Sequence, residues 1–231
     1  SLKGLLNSSE LITGSDNYVI SAPENSYVKY DEKTKLGKIV SEKQGNQLDT
    51  EQLYKILDDS IKDLAESVDL DKKSAYVKPT IVKDSDTIKN ELETYNKYLL
   101  KWIKWDMGEN HFETITPESI KDWIVINDDG SVDIDQDKMS DWIESFCEKY
   151  KTVGKTRSFK SHTGAIVELS GGDYGWQLNY NDTLEDAYNA IKKDTDQSLI
   201  DAYKKDNSDT NIEALTTTLE PKWKNFGATL N

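Results

Sequence analysis

Asp173, Tyr174 and Trp176 lie together in the run Ser170-Gly171-Gly172-Asp173-Tyr174-Gly175-Trp176. Aromatic rings stack on the apolar faces of sugars, and a carboxylate accepts hydrogen bonds from hydroxyl or amide groups. The trio therefore reads as a binding set, and Arg157 on the preceding segment adds a cation. A structural reading stands beside it, because an aromatic placed after a corner glycine also serves to plug a core. Arg157, Lys160 and His162 on that preceding segment fit an ordinary solvated strand face better than a ligand contact.

Other reactive groups point away from catalysis. Cys147 is the sole cysteine, and His111 and His162 are the two histidines that could act as its base. Beside Phe146 on a helical pattern, Cys147 is expected to be a small buried apolar residue. No interval among these three residues matches a zinc motif. Asp128, Asp129, Ser131, Asp133, Asp135 and Asp137 resemble a calcium loop in composition only. With Gly130 at the sixth position, Val125 would be the first ligand and Gln136 the twelfth, where Asp and Glu are required. A solvated turn running into a helix N-terminus explains the cluster. No nucleotide-binding loop or nucleophile elbow occurs, so no catalytic residue, metal or cofactor is assigned.

The elements that hold the aromatic run recur near the start of the chain. Gly175, Trp176, Gln177, Leu178 and Asn179 align with Gly45, Asn46, Gln47, Leu48 and Asp49 at an offset of 130. Each set follows an apolar strand-like run, Ile39-Val40 or Ala165 to Leu169, and each precedes a helical stripe. Glycine suits the strand-to-helix corner because it tolerates backbone conformations that side chains oppose. Asp49 with Gln52, and Asp182 with Glu185, have the spacing of helix-capping pairs. Leu53, Ile56, Leu57, Ile61 and Leu64 form the first stripe, and Leu184, Ala187, Tyr188 and Ile191 the second. This common context predicts a duplicated hairpin-corner-helix unit.

Between the copies, Ile88, Leu92, Tyr95, Leu99 and Ile103 predict one long helix over 86–104, its core extended by Trp102 and Trp105. Thr116-Pro117-Glu118 is a helix start. Strands are expected at 124–126 and around Val132 and Ile134, then a helix from Met139 to Tyr150, and a hairpin over 157–169 that turns at Thr163-Gly164. Residues 195–219 are polar and weakly periodic. The fold class is α+β, with mixed helices and antiparallel hairpins in an elongated arrangement. Residues 1–22 read as the tail of an upstream module or a linker, 23–160 as a first module, and 161–231 as a second, partial one.

The chain has 231 residues, 43 acidic against 29 basic, and a formal net charge of −14. That charge disfavours nucleic acid and anionic membrane surfaces as partners. Six Trp and twelve Tyr supply large surfaces for burial, which argues for a folded chain. No run approaches the ~20 apolar residues of a membrane span. One cysteine excludes an internal disulfide and leaves the compartment open.

Tyr150-Lys151-Thr152, Arg157-Ser158-Phe159-Lys160-Ser161, Gly164, Val167 and the Ser170 to Trp176 run together resemble the peptidoglycan-binding region that precedes the catalytic domain in bacterial L,D-transpeptidases of the YkuD type. Gly45 to Asp49 and Tyr76-Val77-Lys78-Pro79 are similar to the same region, so the resemblance covers about residues 20–225. It implies an extracytoplasmic, cell-wall location, anchorage through an N-terminal membrane segment outside these residues, and a tethered C-terminal catalytic domain. The family's catalytic cysteine sits in a Ser/Thr-His-Gly-Cys setting. Cys147 follows Ser145-Phe146, so that role does not transfer to it. The implied function is non-catalytic peptidoglycan binding, to glycan strand or stem peptide, in wall cross-linking. Two alternatives remain open: a spacer or docking platform without sugar affinity, and the same module in a VanW-like surface protein.

Overall fold

The computed structural model describes residues 2–169 and 175–226. The chain is α+β and divides into two compact units, Ser1–Asp31 with Gly37–Leu92, and Glu32–Leu36 with Glu93–Asn231. The sequence-based boundaries fell after residues 22 and 160. The chain divides near residue 92, and strand pairing ties residues 102–105 to 216–219 within the second unit.

The first unit contains α1 (Leu2–Asn7), α2 (Glu10–Thr13), the two-stranded sheet of β1 (Tyr27–Asp31) and β2 (Leu36–Val40), and α3 (Thr50–Lys62). α4 (Asp86–Leu99) contains the boundary between the units. Asp49 caps α3 as its spacing predicts, accepting from the Gln52 amide at 3.0 Å. Leu53 and Ile56 bury against Leu48 and Ala75. The far end of the predicted stripe stays outside: Ile61 and Leu64 are exposed, and Leu64 has left the helix at φ 53°.

The expected helix over 86–104 is shorter. It stops at Leu99, and β3 (Trp102–Asp106) follows as the centre of a three-stranded sheet. β4 (Phe112–Ile115) flanks β3 antiparallel. Ile103 fits both a helical spacing from Leu99 and a strand alternation with Trp105, and sheet pairing decides between them. Ile103 and Trp105 are buried in the main core, while Trp102 packs on Tyr203 in a separate cluster, with ring centroids 5.4 Å apart. β3 is thus covered on both faces.

α5 (Pro117–Ile120) begins at Thr116 with proline first, though the threonine side chain makes no cap bond. β5 (Ile124–Ile126) and β6 (Val132–Ile134) pair as a hairpin before α6 (Gln136–Tyr150). The acidic cluster is spent locally. Asp135 caps α6 through the Lys138 amide, Asp133 pairs with Lys192 at 2.8 Å, and Asp129 accepts from the Ser131 amide. Met139, Ile143, Phe146 and Cys147 line the buried face of α6.

β7 (Arg157–Lys160) and β8 (Ile166–Leu169) form the expected hairpin. β9 (Gly175–Leu178) leads into α7 (Tyr180–Lys192). The cap of α7 is Asn179 and not Asp182: the helix starts three residues earlier than the acidic spacing suggested, and Asp182 accepts from the Asn179 side chain. The weakly periodic tail folds as α8 (Gln197–Lys205), α9 (Asp209–Ala214), β10 (Thr216–Leu219) and β11 (Trp223–Phe226). β10 pairs parallel with β3, and β11 pairs antiparallel with β9.

Candidate binding site

The site begins with Gly175, whose φ is +151°. A side chain there would place its Cβ 2.7 Å from the Val153 amide nitrogen and 2.8 Å from the Thr152 carbonyl carbon. Those are backbone atoms with little freedom to yield, so the absence of a Cβ lets two chain segments touch. The contact is then locked in both directions. The Trp176 amide donates to Thr152 Oγ1 at 2.8 Å, and the Thr152 amide donates to the Trp176 carbonyl at 2.8 Å. The Arg157 guanidinium donates to the Thr152 carbonyl at 3.3 Å.

This latch presents Trp176 at a surface. Trp176 is 48% exposed and Trp223 39%, the two being diagonal neighbours across the β9–β11 pair, with Trp176 opposite Asn225 and Trp223 opposite Leu178. Their rings meet edge to face, with centroids 6.4 Å apart. With Tyr150 and Thr152 they line an open, largely apolar cleft of about 450 Å³, a size that suits a small-molecule or sugar subsite. Tyr150 brings a polar edge, since its hydroxyl donates to Glu113 Oε1 at 2.7 Å. Burial, followed by that hydrogen bond and the Glu113 charge, pushes the Tyr150 phenol up to about 12. Glu113 also pairs with Lys149.

Among the residues expected from sequence, Trp176 lies in the cleft wall and Arg157 bonds the Thr152 carbonyl. Asp173 and Tyr174 lie outside the described residues. Tyr150, Thr152 and Trp223 line the cleft without having been singled out as site residues. Tyr150 and Thr152 lie in the run that carries the resemblance. Trp223 had no periodic signal, and only strand pairing brings it to Trp176. Cys147 is in the core, 4% exposed, with its thiol raised to about 11 by desolvation. His111 and His162 sit in exposed turns between strands. Among the described residues, no three His, Cys, Asp or Glu side chains converge as a metal site, and no helix is long and apolar enough to cross a membrane.

The first unit contains the same corner with other side chains. Gly45 has φ +67°, and a Cβ there would lie 2.5 Å from the Ser21 carbonyl oxygen and 2.7 Å from the Ala22 carbonyl carbon. Leu48 bridges antiparallel to Tyr76 as Leu178 pairs with Trp223. The Asp49 amide donates to the Ala75 carbonyl at 2.8 Å, and the Asn179 amide to the Lys222 carbonyl at 2.7 Å. α3 and α7 each run 13 residues from these caps. Where Trp176 stands exposed, however, Asn46 is consumed in the corner: its Oδ1 accepts from the Ser21 amide at 2.6 Å and its Nδ2 donates to the Val19 carbonyl at 3.0 Å. Tyr76, the counterpart of Trp223, packs against its own unit's core. The corner is common to both units, and the exposed tryptophan pair belongs to the second.

Comparison with known proteins gives three findings. No curated protein matches the chain. Two solved structures are similar to part of it: a cysteine-to-serine mutant of the L,D-transpeptidase of Enterococcus faecium, at 19% identity and a TM-score of 0.39, and the Ldtfm-avibactam carbamoyl enzyme, at 20% and 0.39. Each match covers 59% of this chain and 46% of the other, so the match spans about half the length of those proteins. Residues 104–199, from within β3 to within α8 and including Tyr150, Thr152 and Trp176, match the family described as "Putative peptidoglycan binding domain".

Proposed function

We propose that the second unit binds peptidoglycan, with the tryptophan cleft as the contact for the glycan strand. The observation that carries this reading is the pair Trp176 and Trp223, held half-exposed in an open cleft by a backbone latch. Two aromatic faces beside a hydroxyl and a carboxylate-backed phenol suit the mixed apolar and polar surface of an N-acetylated sugar. The match of residues 104–199 to a peptidoglycan-binding family supports the same choice. Asp173 and Tyr174 belong to the proposed ligand set through their place in the sequence run, and Arg157 positions Thr152.

In this reading the chain is the non-catalytic, extracytoplasmic part of an L,D-transpeptidase-like protein of the cell wall. Its membrane anchor and catalytic domain lie outside these residues. Binding the wall polymer raises the concentration of substrate near the tethered catalytic domain without any new contact in that domain.

The test is retention on insoluble peptidoglycan at physiological salt. Trp176→Asn is the informative variant, because the corner of the first unit already accommodates asparagine at the matching position. Retention of the parent and loss in a Trp176→Asn protein of unchanged melting temperature is the expected result. With a net charge of −14 and screening beyond ~8 Å, glycan contact through stacking should tolerate added salt. A parent protein that is not retained would leave the chain as a spacer or docking platform.

A further inference from the structure

A second depression lies along α6 in the same unit. Lys138, Trp142, Ser145 and Lys149 recur at intervals of four, three and four and form one stripe along the helix, with Asp141 flanking it one turn after Lys138. With Glu113 from β4 they line a trough of about 430 Å³. Its floor is aromatic. Trp142 is half-buried and packs on Trp123, Phe146 and Trp105 at centroid distances of 6.3, 5.7 and 6.3 Å. Lys138 and Lys149 stand at opposite ends, their side chains 56% and 61% exposed. The exposed Asp141 carboxylate lies between them.

We infer that this trough holds the peptide arm of the polymer whose glycan occupies the tryptophan cleft. The inference rests on the peptidoglycan reading and names a second contact within it. Three features fit an extended peptide bearing both carboxylates and an amine. Lys138 and Lys149 are eleven residues apart, which at ~1.5 Å per residue of helix is about 16 Å. An extended peptide rises ~3.3 Å per residue, so about five residues fill that length. The charges are arranged to match. Lys138 also bonds the Asp122 carbonyl and pairs with Asp135, and Lys149 pairs with Glu113. Each exposed ammonium has three donors and can add a ligand carboxylate, while Asp141 lies between them for an amine. The trough also meets the cleft at one residue: Glu113 lines the trough, pairs with Lys149, and accepts from the hydroxyl of Tyr150, a cleft wall. A sugar that carries a peptide branch thus finds both surfaces adjoining.

The inference separates two kinds of binding energy. Stacking in the cleft is insensitive to ionic strength, whereas ion pairing along α6 weakens with salt. Lys138→Gln/Lys149→Gln removes both ammonium groups at exposed helix positions. It gives up the Lys138 bond to the Asp122 carbonyl and the surface pairs with Asp135 and Glu113, leaves Glu113 its bond from Tyr150, and is used with its melting temperature checked against the parent.

The experiment is calorimetric titration of the parent and the double variant with three soluble probes: a peptide-free glycan oligomer, a free stem peptide, and a disaccharide bearing that peptide. The expected result is that the parent binds the disaccharide-peptide about tenfold more tightly than the glycan. The double variant should bind both equally, as should the parent at about 500 mM salt. Equal affinity of the parent for the two probes, or a double variant that keeps the gain, would overturn the trough and leave the glycan reading standing. Binding of the peptide by the parent alone, with no binding of glycan, would support the trough and overturn the cleft. No binding of any probe would overturn both.

Discussion

Replacing Gly175 by alanine tests the latch that the whole site depends on. At φ +151° a non-glycine residue costs ~1–3 kcal/mol in backbone strain alone. The added Cβ must also displace the Val153 and Thr152 backbone from 2.7 and 2.8 Å, which as overpacking costs a further ~1–3 kcal/mol. The sum centres on about 4 kcal/mol, and at ~2–4 °C per kcal/mol it lowers the melting temperature of the second unit by about 8–16 °C. Gly164→Ala is the control. Gly164 also has positive φ, +85°, but nothing lies within 4 Å of its missing Cβ, so only the strain applies. Thermal unfolding followed by circular dichroism gives the stabilities, and hydrogen exchange at the Thr152 and Trp176 amides reports the latch itself. Gly45→Ala should reproduce the large effect in the first unit, where the contact is 2.5 Å. If Gly175→Ala costs no more than Gly164→Ala, close approach of the backbone is not what shapes the corner.

Two further outcomes follow from titratable groups. Tyr150 should ionise near 12 instead of near 10, because burial and its bond to Glu113 favour the neutral phenol. Its folded value is raised, so its contribution is complete below pH ~10 and is lost as pH rises through 12; the urea midpoint should fall between about pH 10 and about pH 12, and less so in Tyr150→Phe. Cys147, buried and with its thiol raised to about 11, should not react with an aromatic disulfide reagent at pH 8 until the protein is unfolded; rapid labelling of the native chain would contradict its place in the core.

Much of the corner was legible because its causes are local. Glycine before a capped amphipathic helix is a short-range pattern, and the offset of 130 matched Gly45 with Gly175 and Asp49 with Asn179. Local reasoning failed where distant partners decide. Trp102 to Asp106 became a strand because β4 and β10 pair with it, and β10 comes from a tail that has little periodicity of its own. The cleft failed to show for the same reason: Trp176 was visible as an aromatic in a glycine-rich run, but its partners Tyr150 and Trp223 come from a helix end and an edge strand. The acidic run was legible because its causes are local too: as its spacing indicated, its members close a turn and cap a helix, and only the pairing of Asp133 with Lys192 is long-range.

The paired hydrogen bonds between Thr152 and Trp176 also bear on how binding is driven. A tryptophan on a loop would lose backbone and side-chain freedom on meeting a ligand, and that entropy would be subtracted from its stacking energy. Here the peptide units on either side of the Cα of Trp176 are already held by Thr152, and the ring already rests against Trp223. The cost of order has been met during folding, so the surface is preorganised. Under the proposed function, a weak ligand of repeating sugars, met many times along one polymer, would be captured and released quickly without the protein rearranging at each encounter.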